Sequence, residues 1–126
     1  MTRVLVARLD GAGDVLLAGP AVRAVATRAE VVVLCGPAGE GAARLLPGVA
    51  DVLVWTAPWI VAPAPEVRAE DVAATARRLS AIGVDEAVLL TSFHQSPLPT
   101  ALLLRLAGIR RISGASVDYA GALLDV

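Results

Sequence analysis

Asp14 is the carboxylate of this sequence with the clearest chemical potential, because a glycine-containing turn brings it to the start of a helix. The segment from Arg3 to Pro20 reads RVLVARLDGAGDVLLAGP, in which Gly11 and Gly13 permit a tight turn and a close approach of a ligand. Asp14 then either caps the helix or acts as a catalytic base. A capping contact weakens a base, so catalysis requires a side chain that is partly free. Asp10, which flanks the turn, is expected to make a local turn contact.

A second group of polar residues lies in the segment TSFHQSP, residues 91–97. His94 is the only histidine, and it is either a hydrogen-bonding surface group or a functional side chain. Gln95 can donate and accept hydrogen bonds to sugar hydroxyls, and Ser92 beside it is a further candidate for substrate binding. This segment is therefore the second predicted part of a binding site.

Other polar and aromatic residues have structural interpretations beside the functional ones. Phe93 is predicted to lie in the core, and Ser96 to be the N-cap of a helix that begins at Pro97. Trp59, which stands among prolines, either stacks on the face of a sugar or packs its own loop. Asp118 follows the last predicted strand and is a further candidate for substrate binding.

The rest of the pattern predicts the elements that position these residues. Apolar runs typical of buried parallel strands occur at residues 3–7, 30–35, 51–55, 86–91 and 110–113. Helical spacing occurs at residues 15–28, 39–46, 69–82 and 97–107. This alternation predicts an α/β fold, a single Rossmann-like domain over residues 1–126 with a parallel, doubly wound sheet in the order 3-2-1-4-5. Ligands bind beyond the carboxyl ends of such strands, so Asp14 and His94 are expected at the same edge.

Composition excludes several classes of protein. The 126 residues suffice for one core, and 56% are hydrophobic. A net charge of −1 with no basic stripe argues against nucleic-acid binding. One cysteine, Cys35, and one histidine argue against a transition-metal site, so no metal is expected. The sequence opens on a strand without a signal-type segment, which predicts a cytoplasmic protein.

Three phosphate-binding folds lack their characteristic residues here. A dinucleotide site requires an acidic residue after the second strand, where this chain has Cys35 and Gly36. A Walker loop requires a lysine, and the sequence contains none. A phosphoacceptor receiver domain requires an aspartate after the third strand, where Trp55 stands.

An ordered set of segments resembles the N-terminal, acceptor-binding domain of glycosyltransferase family 9, the heptosyltransferase family. The set consists of the first strand with its GAGD turn, LLPGVADVLVW, DEAVLLTSFHQSP, LLLRLAGIRRISG and DYAGALLDV. The resemblance covers essentially the whole chain. It implies the N-terminal half of a two-domain enzyme of the GT-B type, whose C-terminal nucleotide-sugar domain is absent from this chain.

The resemblance also implies an inverting glycosyl transfer from a nucleotide-sugar donor, without another cofactor, to a hydroxyl of a glycan, lipid-linked or natural-product acceptor. Asp14 matches the proposed catalytic base of the family. Arg8 replaces the family's usual lysine, and an arginine can bind phosphate but cannot transfer a proton. Arg8 and the amides of Gly11 and Gly13 would assist with the charge of the leaving group.

The same resemblance carries expectations about partners and biology. The chain alone is expected to be inactive and to self-associate through apolar surface that a second domain would cover. Peripheral contact with a membrane through a lipid-linked acceptor and a role in bacterial cell-surface glycan biosynthesis are further expectations. The alternative is a stand-alone ligand-binding or interaction domain without catalysis. A small hydrolase that uses His94 with Ser92 or Ser96 is a third interpretation.

Overall fold

Five parallel strands form the centre of the protein in a computed structural model that describes residues 2–126. The sheet has the order β3-β2-β1-β4-β5, as predicted. The strands are β1 (Arg3–Arg8), β2 (Glu30–Cys35), β3 (Val49–Val54), β4 (Glu86–Leu89) and β5 (Arg111–Gly114). Every pair of neighbouring strands is parallel, so all five carboxyl ends lie at one edge. The predicted α/β, doubly wound Rossmann-like fold is confirmed.

Helices fill the connections between the strands. They are α1 (Ala12–Leu17), α2 (Gly19–Ala26), α3 (Glu40–Leu45), α4 (Ala69–Ile82) and α5 (Leu98–Leu106), with 3-10 turns at Pro37–Gly39 and Gly121–Leu123. Gly83 ends α4 in the left-handed conformation with φ 71°, as the glycine stop signal predicts. No helix of residues 2–126 is long and apolar enough to cross a bilayer.

The first helical segment differs from its prediction. A single helix over residues 15–28 is expected from the spacing of apolar residues, but the structure has two helices, and the first begins three residues earlier, at Ala12. Pro20 explains the break, because proline lacks an N–H group and its ring clashes with the carbonyl of Leu16 in a continuous helix. The chain restarts as α2, whose N-cap is Ala18.

Two apolar layers pack on the two faces of the sheet because successive strand residues point in opposite directions. Leu5, Leu34 and Leu89 pack with residues of α4 and α5 on one face. Val6, Val33 and Cys35 pack with residues of α1, α2 and α3 on the other. Burial is the main cause that raises the pKa of the Cys35 thiol, and the nearby carboxylate of Glu40 raises it further. This cysteine is therefore an inert core residue, as expected.

Adjacent strands β1 and β4 determine where the candidate site lies. Ala7 pairs with Leu89, and the N–H of Leu90 donates to the carbonyl of Ala7 at 3.0 Å. Residues that follow these two strands therefore emerge side by side, although more than 80 positions separate Arg8 from Ser92 in the sequence. The candidate site therefore lies at the carboxyl edge of the sheet, beyond the adjacent strands β1 and β4.

The last residues of the chain lie along β5. The N–H of Asp125 donates to the carbonyl of Ile112 at 2.8 Å, and the N–H of Gly114 donates to the carbonyl of Val126 at 2.9 Å. The Asp125 carboxylate accepts the N–H of Ile112 at 2.7 Å and the Arg105 guanidinium at 2.9 Å. These donors, the Ile112 N–H first and Arg105 second, hold the pKa of Asp125 below its usual range.

Replacing Asp125 with asparagine should lower the melting temperature at neutral pH. The folded protein has the lower pKa, so the stabilisation is complete above the ordinary aspartate pKa and is lost as the pH falls through the folded value. The difference in melting temperature from the wild type should therefore shrink below about pH 4. Thermal unfolding by circular dichroism from pH 7 to pH 2 measures it. A difference that is unchanged at pH 2 would mean that the charge of Asp125 stabilises nothing.

Candidate functional site

Arg8, Asp10 and Ser92 form a closed hydrogen-bonded ring at the carboxyl edge of the sheet. The Arg8 Nε–H donates to Asp10 Oδ1 at 2.8 Å, and its Nη2 donates to Ser92 Oγ at 2.9 Å. The Ser92 hydroxyl donates to Asp10 Oδ2 at 2.9 Å and closes the ring. The Arg8 and Asp10 side chains are only 13% and 11% exposed. The orientation of the guanidinium is therefore fixed, because its partners Asp10 and Ser92 follow two neighbouring strands.

Asp14 is the second carboxylate beside Arg8. Its Oδ1 lies 3.2 Å from Arg8 Nη2, and its side chain is 39% exposed. Asp14 does not cap its helix: the N-cap is Gly11, and Asp14 lies in the first turn. Within residues 2–126, no donor makes a hydrogen bond of good geometry to either oxygen of Asp14. The capping interpretation is thus wrong, and the carboxylate is ion-paired to Arg8 but accepts no backbone N–H of the described residues.

The predicted reason for Gly11 and Gly13 is only partly supported. Neither has a positive φ, since Gly11 is extended with φ −77° and Gly13 lies inside α1. A tight left-handed turn is therefore not what requires glycine at these positions. A Cβ atom at either would meet no heavy atom within 4 Å. The backbone beside Asp14 is thus open, and close approach of a ligand stays a prediction.

The segment after β4 lines a pocket together with the segment after β5. This pocket of about 340 Å³ is bordered by Ser92, His94, Gln95 and Asp118, four of the residues predicted to bind substrate. Ser92 belongs both to its wall and to the ring that holds Arg8. A neighbouring pocket of about 460 Å³ contains Arg8 and shares Thr91 with the first. The predicted common edge for Asp14 and the His94 segment is confirmed.

Hydrogen bonds within the segment after β4 hold its shape. The Ser92 N–H donates to Gln95 Oε1 at 3.2 Å, and the Gln95 N–H donates to the Ser92 carbonyl at 2.9 Å. Ser96 Oγ accepts the N–H of Leu98 at 3.1 Å, which is a structural contact, but the predicted N-cap at Ser96 is wrong because α5 begins at Leu98 and its N-cap is Pro97. His94 is exposed on the rim of the pocket.

Phe93 contradicts its prediction. We expected a core residue, but its side chain is 97% exposed and lines the pocket beside His94. Val117 and Tyr119, after β5, are also almost fully exposed. Hydrophobicity alone predicted burial, whereas the two-residue turn at Phe93 and His94 points its side chains out of the sheet edge. The pocket is therefore lined by exposed apolar side chains, Phe93 and Val117, as well as by its polar residues.

Trp59 packs its own loop, which was the structural alternative for this residue. Its indole N–H donates to Thr100 Oγ1 at 2.9 Å, and its ring meets that of Trp55 edge to face, with centroids 5.3 Å apart. Trp59 borders neither the His94 pocket nor the Arg8 pocket. Sugar stacking by Trp59 is therefore not supported.

Asp10 is the residue of this site that sequence reasoning missed. It was expected to make a local turn contact, but it bonds a residue that follows a different strand. The predicted strand order contained the signal, since it places the residues after β1 and β4 next to one another.

This arrangement can support proton abstraction from a bound hydroxyl. Asp14 supplies an exposed carboxylate at the same edge as the two pockets, although it lines neither of them. Arg8 supplies a positive charge at its side, and the pockets supply groups that hydrogen-bond a polyol. A pair of carboxylates around one arginine leaves the cluster with one net negative charge, which favours a neutral or proton-donating ligand at Asp14.

Solved structures of glycosyltransferases share this fold. The structure is similar to that of the ADP-heptose LPS heptosyltransferase II of Escherichia coli, with a TM-score of 0.72 and 16% identity over 98% of this chain and 33% of that chain. It is also similar to a family 9 glycosyl transferase of Veillonella parvula, with a TM-score of 0.68 and 18% identity over 91% of this chain and 32% of that one. No family model matches the sequence, and no curated protein does.

These similarities establish the fold, and they agree with the resemblance that the sequence motifs show. The chain spans about one third of the length of either structure. Two thirds of each neighbour therefore has no counterpart in these 126 residues.

Proposed function

We propose that this chain is the acceptor-binding half of an inverting glycosyltransferase of the family 9 type. The observation that carries the proposal is the exposed Asp14 carboxylate, which is ion-paired to Arg8 and accepts no hydrogen bond from a donor of residues 2–126. It lies at the edge where Ser92, His94, Gln95 and Asp118 border a pocket. The structural neighbours support a transferase, and their greater length supports a missing partner domain, which in this proposal binds the donor.

In the proposed reaction, Asp14 takes the proton of an acceptor hydroxyl. The hydroxyl oxygen then forms a bond to the anomeric carbon of a nucleotide-sugar, and the bond from that carbon to the diphosphate breaks. The electron pair leaves with the diphosphate, and attack from the opposite side inverts the anomeric centre. In this proposal, Arg8 and the backbone at Gly11 and Gly13 would stabilise the negative charge that develops on the departing diphosphate. The nucleotide-sugar is the donor substrate, and the reaction requires no other cofactor.

The acceptor in this proposal is a glycan, a lipid-linked sugar or a glycosylated natural product. Gln95, His94 and Asp118 would bind its hydroxyls, and the exposed Phe93 would contact an apolar part. The proposal places the protein in the cytoplasm, with a role in bacterial cell-surface glycan synthesis and peripheral membrane contact when the acceptor is lipid-linked. The second domain would have the GT-B arrangement.

Transfer assays on the complete natural protein that carries this chain test the proposal. We expect sugar transfer from one nucleotide-sugar of a panel, with an inverted anomeric configuration by proton NMR of the product. The 126-residue chain alone should bind the acceptor in a calorimeter but should not turn it over. Retention of configuration would contradict the mechanism. Ligand binding without transfer or hydrolysis of any donor would favour the alternative, a binding or interaction domain without catalysis.

A further inference from the structure

The Arg8 guanidinium has two carboxylates within reach but bonds only one of them. It donates to Asp10 and to Ser92 through Nε and Nη2, which together form one edge of the planar fork. Towards Asp14 it makes an ion pair at 3.2 Å without hydrogen-bond geometry. An arginine beside an exposed carboxylate commonly forms two parallel hydrogen bonds to it. The orientation of the Arg8 guanidinium therefore needs an explanation.

The ring of hydrogen bonds supplies the cause. Asp10 Oδ1 holds Nε, Asp10 Oδ2 accepts the Ser92 hydroxyl, and the Ser92 oxygen holds Nη2. Asp10 therefore holds both nitrogens of this edge of the guanidinium, Nε directly and Nη2 through the Ser92 hydroxyl. Both Arg8 and Asp10 are nearly buried, so solvent offers little competition for these bonds.

We propose that Asp10 and Ser92 are positioning residues that keep Arg8 from closing onto Asp14, and so preserve a free base beside a positive charge. This inference rests on the proposed function for its catalytic consequence. Its geometric part concerns this chain alone. In this role, each residue acts through Arg8.

Replacing Ser92 with alanine removes the oxygen that holds Nη2. Asp14 Oδ1, 3.2 Å from Nη2, and Asp10 Oδ2, which loses the Ser92 hydroxyl, then compete for that nitrogen. The proposal expects Asp14 to gain it, so the distance from Arg8 Nη2 to Asp14 Oδ1 should contract from 3.2 Å to hydrogen-bond length, roughly 2.8 Å. A crystal structure of the variant 126-residue chain measures it. In the complete enzyme, kcat should fall by about tenfold while KM for the donor stays nearly constant, since the loss affects the base rather than donor binding.

Ser92→Thr is the matched control, because it retains the hydroxyl that bonds Arg8 and Asp10. It should keep the wild-type distance from Arg8 Nη2 to Asp14 Oδ1 in a crystal structure. Asp10→Asn should act like Ser92→Ala, because it removes the charge that competes with Asp14 for Arg8. Thermal unfolding of each variant identifies any that fail to fold, and Asp10→Asn keeps the test decisive if Ser92→Ala is one of them.

Three results would overturn the proposal. They are an unchanged Arg8–Asp14 distance in Ser92→Ala, a kcat of Ser92→Ala like that of the wild type, or a contracted Arg8–Asp14 distance in Ser92→Thr. A wild-type protein without transfer activity would overturn the proposed function instead. The distance in the crystal would then still decide whether Asp10 and Ser92 position Arg8.

Discussion

Asp14→Asn should lower turnover by at least about a hundredfold in the complete enzyme, because an amide cannot accept the proton of the acceptor hydroxyl. The substitution keeps the shape of the side chain. Acceptor affinity should therefore change little, and the loss should appear in kcat. Steady-state kinetics with a saturating acceptor, together with calorimetric binding of the acceptor, separate the two effects.

The structure also changes the stability that we expect for Asp14 variants. A capping aspartate replaced by alanine would cost roughly 1 kcal/mol. Asp14 makes no capping hydrogen bond, so Asp14→Ala should lose only the ion pair with Arg8 and the favourable position in the first turn, together below about 1 kcal/mol. Equilibrium unfolding in urea measures this. If Asp14→Asn kept near-normal turnover, Asp14 would not be the base, and His94 would become the leading candidate.

Arg8→Met should lower the free energy of unfolding by about 3 kcal/mol, the second large effect that we expect. Methionine keeps the apolar stem but leaves the Asp10 carboxylate, 11% exposed, without its cation. A nearly buried charge that loses its partner is costly because water cannot replace the lost hydrogen bonds. Urea unfolding of the 126-residue chain measures the change.

Arg44→Met is the matched control for Arg8→Met. Arg44 pairs with Glu40 one helical turn away, at 2.8 Å, but both side chains are well exposed. Its loss should cost less than about 0.5 kcal/mol. Adding Asp10→Asn to Arg8→Met should recover part of the stability, because it removes the unpaired charge. Equal losses for Arg8→Met and Arg44→Met would show that the ring around Arg8 contributes no more than a surface ion pair.

The sequence alone determined most of the fold. The strand order and the bounds of β2 and α4 follow from signals carried by nearby residues: continuous apolar runs, helical spacing and glycine stops. Strand ends moved by one or two residues, as at β3, where prediction began at Asp51 and the structure begins at Val49. The predicted helix over residues 15–28 forms two helices instead. It contains Pro20, a local signal for a break, but the prediction followed the spacing of apolar residues.

The candidate site was predictable in location but not in its internal bonds. Asp14 and the His94 segment share an edge because parallel strands end together. The bonding state of Asp14 depended on where α1 begins, since a start at Ala12 moves Asp14 from the cap into the first turn. Phe93 was wrongly predicted to be buried, and the prediction left two roles for Trp59, because the exposure of a side chain depends on neighbours that only the folded chain supplies.

Local chemistry and periodicity thus determined which residues line the edge, while only the tertiary structure decided which of them bond to one another. Asp10 shows the difference: its neighbours in sequence predict a turn contact, yet its hydrogen bond to Ser92 spans 82 positions. That bond exists because β1 and β4 are adjacent and both end at the same level. A difference of a few tenths of an ångström decides whether two groups form a hydrogen bond. Packing across the sheet sets the positions of the groups to that precision, and the order of residues along the chain does not.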